Sequence, residues 1–268
     1  YKKYGFIAIE KESESVSKTL EYAYDDWAIA QMADAMGKAD IYEKYIRRAQ
    51  YYKNQFDPSV GFMRGRFMNR WFTPFDPYEV NNNFTEGNSW QYSYYVPQDI
   101  SGLAKLHGGK QAFAKYIDGI FNADTEITGR KQVDITGMVG QYAHGNEPSQ
   151  QIAYMYNYVN QPWKAQEYVK HITSTLYSDA PDGIAGNEDC GQLSAWYIFS
   201  TLGFYPVTPG SDMYIIGTPH YKRASLHLEN GNTFTITAEN VSDSHFYIAS
   251  ARLNGKDYRY SYLRHEDI

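Results

Sequence analysis

Apolar side chains recur at alternating four- and three-residue steps through much of this chain, and only an α-helix brings such positions onto one face. Val16, Leu20, Ala23, Trp27 and Ala30 form the first stripe, within an amphipathic helix expected over 13–37. Ser13 or Ser15 can cap that helix, and Gly37 is its stop. Tyr42, Tyr45, Ile46, Ala49, Tyr52 and Phe56 extend the pattern over 40–56, where Asp57-Pro58 ends it. Two long helices in succession imply an antiparallel pair. Further helices are expected over 99–107 and 110–122, from Ser149 through Val159, from Pro162 to about Tyr177, and from Leu193 to Leu202.

Between these helices the period fails three times. The stretch 61–88 holds Pro74, Pro77 and the run Asn81-Asn82-Asn83, and it leads into Thr85-Glu86-Gly87-Asn88-Ser89-Trp90-Gln91-Tyr92, which reads as a short helix. The stretch 124–148 ends in Gly140-Gln141-Tyr142-Ala143-His144-Gly145-Asn146-Glu147-Pro148. The third is Gly186-Asn187-Glu188-Asp189-Cys190-Gly191-Gln192. Long loops inside a helical domain are usually functional. Each of these three sets a carboxylate at a loop-to-helix junction, where backbone N–H groups are bare. The same residues also suit helix capping. Glu86 alone reads as a loop carboxylate before a cap at Asn88, Asn146-Glu147 as a turn before Ser149, and Asn187 or Asp189 as an N-cap.

After Gly203 the pattern changes to strands. Tyr214-Ile215-Ile216, Ser225–Leu228, Thr233–Thr237 and Phe246–Leu253 read as β, with Glu229-Asn230-Gly231-Asn232 and Asn254-Gly255 as hairpin turns. The strands are too few for a closed sandwich, which implies pairing with strands absent from the sequence. The expected organisation is therefore mainly α over 1–203 and β-rich over 204–268.

Charge excludes some partners. A net charge of −6 argues against nucleic acid or an anionic membrane, either of which calls for a basic face. No apolar run approaches the roughly 18 residues that span a bilayer. The single cysteine, Cys190, rules out an internal disulfide framework and reads as a buried, inert thiol. His144 has no second histidine at zinc-ligand spacing. The 27 tyrosines and 5 tryptophans suit sugar rings, and equally the filling of a helical barrel. Paired carboxylates at a pocket suit glycoside hydrolysis, and the adjacent amide and carboxylate of Asn146-Glu147 offer hard oxygens of the kind calcium takes.

Five segments in order resemble glycoside hydrolase family 92: Ser15 through Trp27, Glu86 through Tyr92, His144 through Ser149, Gly186 through Gln192, and Leu202-Gly203-Phe204-Tyr205-Pro206-Val207. The resemblance implies a calcium-dependent, exo-acting α-mannosidase that inverts the anomeric centre. It implies Glu86 as general acid and Asp189 as general base, with Glu188 as an assistant. Asn146 and Glu147 match the calcium-binding positions, while Trp90, Gln91, His144 and Glu188 fall at sugar-binding ones. Gln150-Gln151 stands where many relatives carry a His-His pair.

The fold implied is part of an (α/α)6 barrel followed by an incomplete antiparallel β-sandwich segment. A missing N-terminal β-sandwich domain of the same enzyme is the expected partner, and the substrate a mannose-containing glycan. The setting implied is periplasmic or extracellular. The rival readings are a non-catalytic carbohydrate-binding fragment and another (α/α)-barrel glycosidase.

Overall fold

The computed structural model describes residues 1–268 and divides into two compact units, 1–150 and 151–268. In the first unit the helices are α1 (Ser15–Ala35), α2 (Ala39–Arg48), α3 (Ser89–Tyr92), α4 (Ile100–Leu106) and α5 (Lys110–Asn122). Val16, Leu20, Ala23 and Ala30 of the α1 stripe are wholly buried. Gly37, at φ 65°, closes that helix: its N–H reaches the Asp34 carbonyl and the Lys38 N–H reaches Ala33, the paired bonds of a Schellman stop.

The start of α1 departs from expectation. Neither Ser13 nor Ser15 caps it; Glu14 sits at the N-cap position without a side-chain bond. The backbone carbonyls of Asn82 and Asn83 accept from Glu14 and Val16 instead, so the long loop itself caps the helix. The second helix also ends early. It stops at Arg48 and buries none of its residues, and a separate 3-10 turn, Tyr51–Asn54, follows. Long-range bonds turn the chain here: Tyr52 Oη donates to Asp99 at 2.9 Å, and the Asn54 amide donates to the Gly5 carbonyl at 2.8 Å.

Six two-residue strands stiffen the loops of this unit. They are β1 (Phe56–Asp57), β2 (Phe62–Met63), β3 (Glu79–Val80), β4 (Thr128–Gly129), β5 (Met138–Val139) and β6 (Tyr142–Ala143). β1 pairs with β2 and β5 with β6 antiparallel, and β3 pairs with β4 in parallel. Gly140, in the β5–β6 turn, has φ 60°, and a Cβ there would stand 2.3 Å from the Ile120 carbonyl oxygen. Only glycine fits where this hairpin meets α5.

The second unit holds a 3-10 helix (Ile152–Val159), α6 (Pro162–Thr175) and α7 (Gln192–Leu202). The stretch 152–159 carries the expected apolar residues, but it forms a 3-10 helix with Gln151 at its N-cap position, and the Ser149 hydroxyl is buried without a hydrogen-bond partner. Seven strands follow: β7 (Phe204–Tyr205), β8 (Met213–Ile216), β9 (Arg223–His227), β10 (Thr233–Thr237), β11 (Ala251–Leu253), β12 (Lys256–Tyr258) and β13 (Tyr262–Arg264). They make three separate small sheets, β13-β8-β7, β9-β10 and β11-β12. The onset of strands after Gly203 thus falls within the second unit.

Asn254 and Gly255 turn the β11–β12 hairpin with φ 50° and 80°, the doubly left-handed geometry that favours Asn-Gly. The strand expected from Phe246 begins only at Ala251. The Ile248 N–H is taken instead by the Gln166 side chain, at 3.0 Å, and the Phe246 carbonyl by the Thr218 hydroxyl.

Aromatic rings fill both cores. Tyr52, Tyr94, Tyr142, Tyr154, Tyr156 and Trp196 are among the largest fully buried side chains. His107 lies among them, its ring stacked on Tyr116 at 4.0 Å and its Nε2 buried without a partner. Burial holds its pKa down to about 4. Its neutral form belongs to the folded state and its proton to the unfolded one. Stability is therefore expected to fall as pH drops from about 6.5 towards 4, by roughly 2 kcal/mol at pH 4.5. Urea unfolding at pH 7.5 and 4.5 checks this, and His107→Phe should reduce the difference between the two.

Candidate active site

In the first unit the candidate residues lie in the loop ahead of α3 and in the segment after β6. Glu86 is exposed and holds φ 52°, a left-handed backbone that costs a non-glycine residue about 1–2 kcal/mol. Such a conformation persists only where the surroundings impose it, and here they do so on both sides. The Asn146 amide donates to the Glu86 carbonyl at 2.7 Å, and the preceding Thr85 N–H donates to Ser17 Oγ of α1 at 2.9 Å. Glu86 and Asn146 are thereby brought together across sixty residues of sequence.

Behind this turn lies a buried lattice of amides. Asn88 caps α3 by accepting from the Gln91 N–H, and the Gln91 side chain accepts from the Asn88 N–H in a reciprocal box. The Asn88 amide donates to Gln141 Oε1 at 2.9 Å, and Gln91 Nε2 donates to the Gln141 carbonyl at 3.1 Å. Gln141 in turn donates to the carbonyls of Asp124 and Glu126. The side chain of Gln91 thus lies inside the protein frame. Trp90 packs its ring against Phe62 at 4.7 Å and Tyr116 at 6.0 Å, with its Nε1 buried and unpartnered. His144 is fully buried, hydrogen-bonded through Nδ1 to Tyr142 Oη at 2.7 Å, and burial lowers its pKa to about 3.

Gln141 is the participant that sequence reasoning left without a role. Its signal is an amide between the obligatory Gly140 and a buried tyrosine, where only internal bonds can satisfy it.

Glu147 opens the 3-10 turn Glu147–Ser149, half-buried, with the buried Asn146 before it. No three His, Cys, Asp or Glu side chains converge as a metal site. The oxygen donors near one another in sequence are the Asn146 amide oxygen, left over once its nitrogen is spent on Glu86, the Glu147 carboxylate and the orphaned Ser149 hydroxyl. That is a hard, oxygen-only set of the type that holds calcium, with further positions left to water or ligand. The surrounding charge is negative. Burial pushes the Glu21 carboxyl up, and the charges of Asp25, Glu14 and Glu86 add to the effect. The Tyr95 phenol is raised by burial and then by Glu21, Tyr24, Asp25 and Glu147.

The second unit carries Glu188 and Asp189. Asp189, Cys190 and Gly191 hold φ 44°, 58° and 87°, three left-handed residues in succession. This tight reversal lets the Gln192 N–H reach back to the Glu188 carbonyl at 2.8 Å. Neither Asn187 nor Asp189 caps α7; Gly191 occupies the N-cap position. The capping acceptor is Glu188, whose Oε1 takes the Ser194 N–H at 3.0 Å and whose Oε2 takes the Ser194 hydroxyl at 2.9 Å. A carboxylate at a helix N-terminus is favoured by the helix dipole. Asp189 is left at the exposed apex of the turn, beside Cys190, which is also exposed and not the buried thiol expected. The left-handed reversal points the chain outward at 189–190, a constraint that residue type does not reveal. Glu188→Ala is expected to lower stability by about 1 kcal/mol, measurable as a shifted thermal midpoint.

Residues 1–268 match the catalytic domain of glycosyl hydrolase family 92. A structure of a family 92 α-mannosidase from Bacteroides thetaiotaomicron in complex with mannoimidazole superposes with a TM-score of 0.94 at 43% identity, covering 100% of this chain and 36% of that one. A family 92 inverting mannosidase from the same organism gives a TM-score of 0.90 at 38% identity, covering 100% of this chain and 38% of that one. A curated relative described as an uncharacterized secreted glycosidase, from Arthroderma benhamiae, is 26% identical over 98% of this chain and 35% of its own length. The chain thus spans little more than a third of these relatives.

Proposed function

Since the chain belongs to glycosyl hydrolase family 92, we propose that it forms part of an α-mannosidase that removes terminal α-linked mannose from glycans with inversion at the anomeric carbon. Glu86 acts as general acid and Asp189 as general base. The observation that carries this reading is Glu86 itself: an exposed carboxylate on a left-handed backbone, fastened from both sides by Ser17 and Asn146. Strained backbone of this kind clusters at active sites, and here it carries an exposed carboxylate. Asp189 offers the second exposed carboxylate, likewise on a left-handed turn, while Glu188 is engaged at the start of α7.

In this mechanism the protonated Glu86 gives its proton to the glycosidic oxygen as the bond to the anomeric carbon breaks. Asp189 takes a proton from a water that attacks the opposite face of the ring. Proton transfer by a positioned carboxyl accounts for about 10²- to 10⁴-fold in rate. The hard oxygens of Asn146, Glu147 and Ser149 suit calcium. When bound, the ion would contact sugar hydroxyls and favour ring distortion.

The architecture proposed is a portion of an (α/α)6 barrel, and the partner proposed is an N-terminal β-sandwich domain of the same enzyme, in keeping with a chain that covers 36% of its mannosidase relative. A setting outside the cytoplasm, periplasmic or extracellular, accords with the secreted relative; no helix is long and apolar enough to cross a membrane.

In the complete enzyme, Glu86→Gln and Asp189→Asn should each lower turnover by two orders of magnitude or more, and near-normal turnover in either removes that residue from its role. Proton NMR of the first product should show β-mannose released from an α-mannoside. Chelation should abolish activity, with calcium restoring it; activity indifferent to chelator would remove the metal from the mechanism.

A further inference from the structure

Ser17 lies in the second position of a chain of contacts that begins on α1 and ends at the Glu86 turn. It is wholly buried. Its hydroxyl oxygen accepts the Thr85 N–H at 2.9 Å, one residue ahead of Glu86. The Tyr92 hydroxyl lies beside Ser17 and Thr85, both of which act to lower its pKa against the larger effect of burial, and it donates to Glu21 Oε1 at 3.5 Å. Glu21 is one helical turn beyond Ser17, so both lie on the same face of α1. The ring of Tyr92 forms the bed of the turn. A Cβ on Gly87 would stand 3.2 Å from Tyr92 Cδ2 and 3.1 Å from Gln91 Oε1, so the backbone just after Glu86 is seated directly on that side chain.

From this geometry we infer that Ser17 is a positioning residue for the reaction: by holding the Thr85 N–H on α1, above the bed that Tyr92 provides, it fixes the left-handed turn that aims the Glu86 carboxyl. The inference rests on Glu86 being the general acid. Asn146 holds the peptide that follows Glu86 through its carbonyl. The Thr85–Ser17 bond holds the peptide between Phe84 and Thr85, so the turn is anchored on both sides of Glu86. Loss of the Ser17 hydroxyl leaves Glu86 in place chemically and misplaced geometrically, and a displacement of about 1 Å at a catalytic group can cost about 10²-fold.

A misaimed general acid has a signature that a loosened fold lacks. Protonation matters when the leaving group is poor and hardly at all when it departs readily as a stabilised anion. The test uses the full-length enzyme and two substrates, a dinitrophenyl α-mannoside and a mannobiose of the linkage it cleaves. Ser17→Ala, Tyr92→Phe and Glu86→Gln are compared with the wild type in kcat and KM. Ser17→Ala is expected to lower kcat on the disaccharide by about 10- to 100-fold with KM little changed, and to stay within about threefold on the dinitrophenyl substrate. Tyr92→Phe should show the same asymmetry at smaller size, and it carries the test should Ser17→Ala fail to fold.

Equal losses on both substrates, or none, in a folded variant overturn the inference when Glu86→Gln itself shows the asymmetry. An absence of asymmetry in Glu86→Gln overturns the assignment of the acid, and the positioning role falls with it.

Discussion

The bond from the Asn146 amide to the Glu86 carbonyl joins two loops that otherwise have only two-residue strands to stiffen them. Irregular backbone carries the same obligatory donors and acceptors as a helix, and every buried one needs a partner. In this protein the partners are side-chain amides. Asn88, Gln91 and Gln141 interlock behind the turn, and Gln141 alone ties the β5–β6 hairpin to the carbonyls of Asp124 and Glu126. Inside a low-dielectric interior a fully satisfied network of this kind is stiff, because releasing any member leaves another unpaired.

The two candidate carboxylates share a device. Glu86 and Asp189 each stand at an exposed point of a left-handed turn, a conformation that L-residues resist. Their neighbours absorb the structural work: Asn88 and Gln91 cap α3, and Glu188 caps α7. Capping thus falls to residues adjacent to the two candidate carboxylates. The aromatic content is divided between the two units. Trp90, Tyr94 and His107 each stack on Tyr116 within the first unit, and within the second the stacked pairs Tyr154–Tyr205 and Tyr177–Trp196 meet edge-on. Rings of this size fill a helical interior with few residues and set the loops on a rigid bed.

The helical periods were legible in the residues because each depends on neighbours within one turn. The stripe Val16–Leu20–Ala23–Ala30 is buried as spaced, α4 and α5 lie where their apolar steps put them, and Asn254-Gly255 makes the hairpin that its left-handed tolerance allows. The second helix was misjudged in length because Tyr52 and Asn54 answer to Asp99 and Gly5, residues far away in sequence. The stretch from Phe246 alternates like a strand, yet it spends its backbone groups on Gln166 and Thr218. Side-chain competition of that kind has no local signature.

By itself the sequence determined the helical stripes, the β-rich close of the chain, the junctions that bear Glu86, Glu147 and Asp189, and the family to which those motifs belong. Only the tertiary structure decided who caps what. Asn82 and Asn83 carbonyls, not Ser13 or Ser15, start α1, and Glu188, not Asn187 or Asp189, starts α7. It also put Cys190 outside and bound Glu86 to Asn146 and Thr85 to Ser17. The reason is physical: a propensity is a property of a few adjacent residues, whereas a hydrogen-bond acceptor is chosen from whatever the fold brings within about 3 Å.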